Sequence, residues 1–190
     1  MSFTFRSLAP ESDAALLHSW VTQPYATFWD MQDFSREQVA AAYTQIQSSG
    51  HHHAVWGLED GKPVFLMEEY APGLSNLATA YAIQPGDVGM HMMVAPPVGA
   101  PRQGFTAAVM EAVLNRLFKD PRVERIVVEP DAQNTRIHAL NARLGFVPAG
   151  KVDLGSKEAL LSFCTRADFH EARLKLHQSA DVAPTLTVSR

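Results

Sequence analysis

The 190-residue sequence contains one cysteine, Cys164, which excludes an intramolecular disulfide and a cysteine-ligated metal cluster. A lone thiol is typical of a reducing compartment, so we expect a cytoplasmic protein. No apolar run approaches the about 18 residues of a membrane span. The charged residues Arg6, Glu11 and Asp13 stand where a signal peptide needs an apolar core. The sequence therefore predicts neither secretion nor a membrane partner.

Positive charge is also scarce. Lysine and arginine number 16 against 20 acidic residues, and a net charge of -4 argues against binding driven by a polyphosphate, so we expect no nucleic-acid partner. The sequence has no Gly-x-Ser-x-Gly elbow, no Gly-x-x-x-x-Gly-Lys-Ser/Thr loop and no dinucleotide fingerprint. Hydrolase, nucleoside triphosphatase and dehydrogenase activities therefore lose support.

The composition is that of a globular protein, with 46% hydrophobic and 19% charged residues. A chain of 190 residues is about one domain's worth. We expect a single domain over residues 1–178 and a loose tail over 179–190.

Apolar periodicity and turn signals predict interleaved strands and helices, that is, an α/β (α+β) fold with a mixed sheet. A helical crossover after residue 95 implies one parallel strand pair, whereas the Asp60-Gly61 turn implies an antiparallel hairpin. Residues 72–85 give mixed signals. The predicted strands are 3–8, 53–58, 64–70, 87–95, 123–129, 146–152 and 158–165, and the predicted helices are 11–21, 35–50, 105–117, 134–144 and 168–177.

The loop between strand 87–95 and helix 105–117 is suited to an anion. Uncapped N–H groups at a helix N-terminus attract phosphate, and Gly104 lets a ligand approach the main chain. Arg102 adds a charge that is able to contact a phosphate. One glycine before a helix is common, so this loop alone does not identify a function.

The run His51-His52-His53 raises the question of a metal site. Neighbouring residues in a strand point to opposite faces, and no carboxylate–histidine pair at helical spacing lies nearby. We therefore expect no metal and interpret the run as a solvated loop entering a strand.

Four stretches taken together are more specific. They are Phe28-Trp29, Gly86-Asp87-Val88-Gly89-Met90-His91-Met92-Met93-Val94, Glu129-Pro130-Asp131 followed by Asn134, and Leu144-Gly145-Phe146 with Lys157-Glu158-Ala159-Leu160-Leu161. On these stretches the chain, over roughly residues 3–170, resembles the GNAT superfamily of N-acetyltransferases. Within it, the sequence is similar to siderophore-biosynthesis acyltransferases of aerobactin-type and desferrioxamine-type pathways.

The resemblance implies a mostly antiparallel sheet splayed around acyl-coenzyme A, either acetyl- or succinyl-CoA. The superfamily's usual loop is Arg/Gln-x-x-Gly-x-Gly/Ala, whereas this chain begins it with Pro101 and ends it with Thr106, which makes a less glycine-rich cradle. The residues that the resemblance assigns to the cofactor are Met93, Val94, Ala95, Arg102, Gln103, Gly104, Phe105, Thr106 and Asn134. A simple N-cap role is the alternative for Asn134.

The superfamily's proposed catalytic pair, a strand histidine and an aspartate after the next strand, falls on His91 and Asp131. A histidine with a pKa of about 6.5 is a suitable base at neutral pH, and Asp131 would orient it, hold the substrate nitrogen or share the base role. The structural alternatives are a core histidine bonded to backbone and a helix-capping aspartate. Phe28 and Trp29 are candidates for an aliphatic substrate pocket, although loop aromatics often only pack.

The resemblance implies a hydroxamate-forming acyltransferase that acts by direct attack of an N-hydroxylated diamine or lysine, such as N-hydroxycadaverine, on the thioester. Cys164 would be dispensable. The alternatives are acetylation of a primary amine, an antibiotic or a protein N-terminus, a non-catalytic acyl-CoA sensor, and a structural partner of a larger siderophore synthetase. A functional link to a siderophore synthetase is expected, while the acyl donor, the acceptor and the oligomeric state stay open.

Overall fold

The computed structural model describes residues 1–181. The strands are β1 (Thr4–Ser7), β2 (His52–Glu59), β3 (Lys62–Tyr70), β4 (Asp87–Val94), β5 (Arg125–Val128), β6 (Val147–Asp153) and β7 (Glu158–Thr165). The helices are α1 (Pro10–Val21), α2 (Arg36–Ser48), α3 (Phe105–Leu117), α4 (Thr135–Arg143) and α5 (Arg166–Asp181). Short 3₁₀ helices lie at Pro24–Trp29, Pro72–Leu74 and Asn76–Thr79.

One seven-stranded sheet organises these elements, in the order β1-β2-β3-β4-β5-β7-β6. All neighbouring strands pair antiparallel except β4 and β5, which pair parallel through the crossover helix α3. The mixed, mostly antiparallel sheet expected from the sequence is confirmed.

The centre of the sheet opens into a splay. Strand β4 pairs with β5 over only three residues, Asp87 to Gly89, and then continues to Val94 alongside β3 alone. Beyond Gly89, the edge of β4 that faces β5 therefore has no ladder partner among the described residues. The splay expected for an acyl-CoA fold is present.

Helices cover both faces of the sheet because residues along each central strand alternate between two cores. Phe65 and Met67 face α3, where Val109 and Val113 are buried. Leu66 faces the opposite side and packs in the cluster formed with α1 and α2. The side covered by α1 and α2 carries the polar site described below.

Several boundaries differ from the sequence-based prediction. Residues 72–85, which gave mixed signals, contain two 3₁₀ helices rather than a strand. Helix α5 begins at Arg166 and continues to Asp181, so it includes the first residues of the expected tail. The remaining tail residues, 182–190, lie outside the described residues. None of the helices between residues 1 and 181 combines the length and hydropathy that crossing a bilayer requires.

Candidate active site

The register of three central strands gathers polar side chains on one face of the sheet. Tyr70 of β3 lies opposite His52 of β2 and Gly89 of β4, and Glu68 lies opposite His91. Residues two apart on a strand share a face, so Glu68 and Tyr70 follow Leu66 on the side covered by α1 and α2.

A chain of hydrogen bonds enters this face from the helical layer. Trp29, at the end of the first 3₁₀ helix, donates its indole N–H to the hydroxyl of Tyr43 at 2.9 Å. The buried Tyr43 hydroxyl donates to Glu68 Oε1 at 2.7 Å. Its phenol pKa is raised well above the ordinary value by burial and by the charge of Glu68, so it remains a donor. Glu68 is thereby fixed in one rotamer.

His91 lies between two buried carboxylates. Its Nδ1 is 3.0 Å from Glu68 Oε2 and its Nε2 is 2.5 Å from Glu129 Oε1. Tyr70 donates its hydroxyl to Glu129 Oε2 at 2.8 Å. Because both ring nitrogens face carboxylate oxygens, only the doubly protonated imidazolium satisfies both contacts as a donor. The arrangement therefore favours a positive charge on His91.

The electrostatics agree with this geometry. Burial opposes a charged ring, but the attraction of Glu129 and the hydrogen bonds to Glu129 and Glu68 outweigh it and raise the pKa of His91 to about 10. Burial likewise opposes a charged Glu68, yet its hydrogen bonds with His52 and His91 lower its pKa to about 2. At neutral pH the ring of His91 is thus a cation. The expected neutral base with a pKa near 6.5 is not what these contacts produce.

Gly89 makes room for this cluster. A Cβ added there would lie 2.2 Å from Tyr70 Cζ, because the Tyr70 ring crosses β4 directly over the glycine. The same ring lies 5.0 Å from the His91 ring centroid. Gly89 is also the last residue of β4 that pairs with β5. One glycine therefore lets the phenol reach Glu129 at the point where the sheet splits.

A cavity of about 520 Å³ opens beside His91. The side chain of His91 keeps 37% of its surface exposed, so the cation is accessible to a ligand. Of the residues predicted from the sequence, Phe28, Trp29, His91, Asp131 and Asn134 line this cavity. Met90 and Met92 line it as well, whereas Met93 is buried in the core beneath α1 and α2.

Asp131 reaches the cavity but does not bond His91. Its Oδ1 accepts the backbone N–H of Gln133 at 2.8 Å, and its carbonyl accepts the His138 ring N–H at 3.0 Å. Within the described residues, the carboxylates at hydrogen-bonding distance of His91 are Glu68 and Glu129. Glu68 and Glu129 therefore orient His91, the role that was expected of Asp131. Glu129 directly follows the last residue of β5, whereas Asp131 lies two residues further on, in the loop that leads to α4.

Asn134 caps helix α4 through its side chain, which accepts the N–H of Ile137 at 3.3 Å. The alternative structural role is therefore observed. Since Asn134 also lines the cavity, a second role toward a ligand stays a prediction.

The main-chain amides of β4 point alternately toward β3 and into the splay. Ala95 donates its N–H to the carbonyl of Val64 at 2.9 Å, on the β3 side. N–H groups alternate between the two edges of a strand, so Met93 also points toward β3, while Met92 and Val94 point into the splay. The binding of the cofactor by Met93, Val94 and Ala95 stays a prediction, and of these three residues only Val94 directs its amide into the splay.

The expected phosphate loop lies outside the cavity lining. Gly104 adopts a left-handed conformation with φ 74° and starts α3 without a side-chain cap, as expected for an anion site. Arg102 forms two hydrogen bonds to Glu59 at 2.5 and 2.9 Å, and its guanidinium lies 4.0 Å above the Phe105 ring. Gln103 and Thr106 flank this start. A pyrophosphate contact from Arg102 would require it to leave or share Glu59.

The histidine run contributes one residue to the site. His52 Nε2 lies 3.2 Å from Glu68 Oε2, the oxygen that also faces His91, and His53 lies exposed on the other side of β2. The donor atoms of His52, Glu68 and His91 lie within 4.8 Å of one another, close enough to hold a metal ion. The expectation of a purely solvated loop is therefore wrong for His52.

Sequence reasoning missed four residues of the network: Tyr43, Glu68, Tyr70 and Glu129. A signal for three of them existed. Glu68 and Tyr70 occupy the alternate positions that continue the buried face of Leu66, where a carboxylate requires a partner. Glu129 follows a buried strand in the same way. Tyr43 belongs to an ordinary apolar helix face, so no local pattern distinguishes it.

The comparisons with known proteins agree with the fold. The acetyltransferase (GNAT) domain family matches residues 9–154. The chain therefore belongs to the GNAT acetyltransferase family.

Individual relatives are distant. N-hydroxyputrescine acetyltransferase of Acinetobacter baumannii is 28% identical over 90% of this chain and 81% of that protein. N(6)-hydroxylysine O-acetyltransferase of Escherichia coli is 25% identical over 87% of this chain but only 53% of that protein. A solved structure of AAC(6')-Ib in complex with ribostamycin and coenzyme A superposes with a TM-score of 0.79, at 21% identity, over 91% of this chain and 98% of the other. That likeness shows the fold alone.

Proposed function

We propose that this protein transfers an acyl group from acyl-coenzyme A to the nitrogen of an N-hydroxylated diamine or lysine and so forms a hydroxamate for siderophore biosynthesis. The proposal is supported by the GNAT family match and by relatives named for N-hydroxyputrescine and N(6)-hydroxylysine. Acetyl-CoA and succinyl-CoA are the donors considered, and a siderophore synthetase is the expected consumer of the product.

The splay and the start of α3 support the placement of the cofactor. The free edge of β4 beyond Gly89 offers amides to a pantetheine arm that continues the sheet in place of a strand. The uncapped start of α3 around Gly104 suits a pyrophosphate. In this arrangement the thioester carbonyl lies near Met92 and Val94, whose N–H groups stabilise the oxyanion.

The observation that carries the proposal is the clamping of His91 between Glu68 and Glu129. A primary amine reaches the site as an ammonium ion and must lose a proton before it attacks, but an imidazolium cannot accept one. The hydroxyl oxygen of a hydroxylamine withdraws electron density and makes the nitrogen less basic. A hydroxylamine therefore arrives uncharged and ready to attack, which suits a site whose histidine is already protonated.

The reaction proceeds by direct attack of the hydroxylamine nitrogen on the thioester carbon. The tetrahedral intermediate collapses, the carbon–sulfur bond breaks, and the products are the hydroxamate and coenzyme A. Asp131 accepts the nitrogen proton, because it lines the cavity and only one of its carboxylate oxygens has a hydrogen-bond partner within the described residues. His91 supplies positive charge beside the reacting groups. The proton accepted by Asp131 is then transferred to the thiolate of coenzyme A, which leaves as the thiol and returns Asp131 to its charged form.

Acetylation of a primary amine or aminoglycoside is the second candidate. The cavity is lined by four carboxylates, those of Asp30, Glu68, Glu129 and Asp131, which suit a polycationic acceptor. A non-catalytic acyl-CoA sensor is a weaker alternative, because it leaves the ordered network around His91 without a role.

An acceptor panel distinguishes these functions. The purified protein is incubated with acetyl- or succinyl-CoA and with N-hydroxycadaverine, N6-hydroxylysine, cadaverine or kanamycin, and the products are identified by mass spectrometry. We expect hydroxamate from the hydroxylamines and little product from cadaverine. Preferential acetylation of kanamycin or cadaverine would favour the second candidate, and cofactor binding without any product would favour the sensor.

A further inference from the structure

Lys157 is a cavity residue for which the proposed reaction has no role. It follows the turn between β6 and β7 and immediately precedes β7. Two contacts fix this turn: Leu154 donates its N–H to the Lys157 carbonyl at 3.0 Å, and Gly155 donates to Asp153 Oδ1 at 2.8 Å. The side chain is partly buried and lines the 520 Å³ cavity together with Ser156.

The ammonium group of Lys157 is not used to neutralise a carboxylate. Within the part of the chain that the structure describes, it forms neither a hydrogen bond nor an ion pair. Lys151 on the same hairpin behaves differently, since it bonds Glu158 at 2.7 Å on the exposed side. Burial raises the pKa of Glu129, but the charge and hydrogen bond of His91, the hydrogen bond of Tyr70 and, as the smallest effect, the charge of Lys157 together lower it. Both oxygens of Glu129 are nevertheless already bonded, to His91 and Tyr70.

A lysine on the wall of a substrate cavity selects ligands by charge. It attracts a carboxylate and repels the free ammonium end of a diamine. The acyl donor and the acceptor are both undecided, and for each of them one of the candidates carries a carboxylate. Succinyl-CoA carries it on the acyl group, and N6-hydroxylysine carries it at its α-carbon. The acetyl group of acetyl-CoA has no carboxylate, and neither does N-hydroxycadaverine.

We infer that Lys157 binds a carboxylate of the reacting pair, so that the preferred combination contains a succinyl donor or an amino-acid acceptor. The inference rests on the proposed function and adds the specificity of its cavity. The anion is held by a charge-assisted hydrogen bond from the Lys157 ammonium, on the side of the cavity formed by the β6–β7 turn.

The test measures kcat/KM for all four combinations of acetyl- or succinyl-CoA with N-hydroxycadaverine or N6-hydroxylysine. Wild type is compared with Lys157→Met, which keeps the length and removes the charge, and with Lys157→Arg, which keeps the charge. Lys151→Met is the matched control, because it removes a lysine of the same hairpin that faces solvent.

We expect Lys157→Met to reduce kcat/KM for the carboxylate-bearing pair by about 10- to 100-fold more than for acetyl-CoA with N-hydroxycadaverine, the range of one charge-assisted hydrogen bond. We expect Lys157→Arg to keep most of the wild-type kcat/KM for the carboxylate-bearing pair, because it keeps the charge. We expect Lys151→Met to leave the relative kcat/KM of the four combinations unchanged. A loss confined to succinyl-CoA assigns the carboxylate to the donor, and a loss confined to N6-hydroxylysine assigns it to the acceptor.

Two results overturn the inference. An equal effect of Lys157→Met on all four combinations, or no effect on any, would show that the lysine does not recognise a carboxylate while hydroxamate formation by wild type stands. Absence of hydroxamate from wild type in all four combinations would instead overturn the proposed function, and the inference with it.

Discussion

Replacement of Gly89 by alanine tests how the splay point and the polar network depend on each other. The new Cβ would lie 2.2, 2.3 and 2.7 Å from three carbons of the Tyr70 ring. Ordinary carbon–carbon contacts need about 3.5 Å, so the ring must retreat by more than about 1 Å. A shift of that size breaks the 2.8 Å bond between the Tyr70 hydroxyl and Glu129 Oε2.

The cost follows from these contacts. Overpacking of this kind costs about 1–3 kcal/mol of unfolding free energy. For a chain of this size, a loss of 1 kcal/mol lowers Tm by roughly 2–4 °C. We therefore expect Gly89→Ala to lower Tm by roughly 2–12 °C and to reduce kcat/KM even at a temperature where the variant is fully folded, because Glu129 and His91 lose their fixed geometry.

Gly57 provides a matched control on the other face of the sheet. A Cβ there would lie 1.9 Å from the Phe65 ring, so Gly57→Ala imposes the same kind of clash away from the cavity. Calorimetry and steady-state kinetics should show both variants destabilised but only Gly89→Ala impaired in turnover of the folded enzyme. Wild-type Tm and kcat/KM in Gly89→Ala would refute the argument.

Three further predictions concern single groups. His91→Ala lowers turnover at neutral pH and leaves the Kd for acetyl-CoA nearly unchanged in calorimetric titration; full activity would remove His91 from the reaction. Cys164→Ala keeps acyl transfer, because Cys164 is buried and burial raises the pKa of its thiol to about 12; a loss of turnover in the folded variant would point to a covalent intermediate. Dialysis against EDTA leaves kcat unchanged, because protons already bridge Glu68 to both histidines; a loss restored by Zn²⁺ would make the His52, Glu68 and His91 group a metal centre.

A fourth prediction concerns stability against pH. Because the pKa of His91 is raised from 6.5 to about 10, its stabilising effect is complete below pH 6.5 and is lost as the pH rises toward 10. Because the pKa of Glu68 is lowered from 4.5 to about 2, its effect is complete above pH 4.5 and is lost as the pH falls toward 2. In urea unfolding, the stability difference between wild type and His91→Gln should therefore shrink between pH 6.5 and 10. A constant difference over that range would contradict the ion pairing.

The order of elements was predicted from the sequence because it depends on local patterns, whereas the splay was expected only from the resemblance to the GNAT superfamily. The alternation along residues 87–95, the crossover through α3 and the Asp60-Gly61 turn each determine one pairing of the sheet. Residues 72–85 were not predicted, since their 3₁₀ helices lack a repeating apolar pattern.

The site was predicted less completely for a different reason. His91 and the cavity aromatics lie in recognisable stretches, but the partners of His91 depend on register across three strands. Glu68 comes from β3 and Glu129 from the end of β5, 23 and 38 residues away along the chain. The charge on His91 follows from these partners, so the sequence alone suggested a neutral base where the folded protein holds a cation.

The pH dependence of kcat/KM for N-hydroxycadaverine and cadaverine, in wild type and His91→Gln, tests the central claim most directly. The account holds that the acceptor nitrogen is already uncharged and that His91 is a cation. It therefore predicts that kcat/KM for N-hydroxycadaverine shows no ascending limb near pH 6.5 that depends on His91. It also predicts that kcat/KM falls as the pH approaches 10, where His91 loses its proton. The slow reaction of cadaverine rises with pH over the same range. An ascending limb near pH 6.5 that disappears in His91→Gln would instead establish a neutral histidine base and contradict the account.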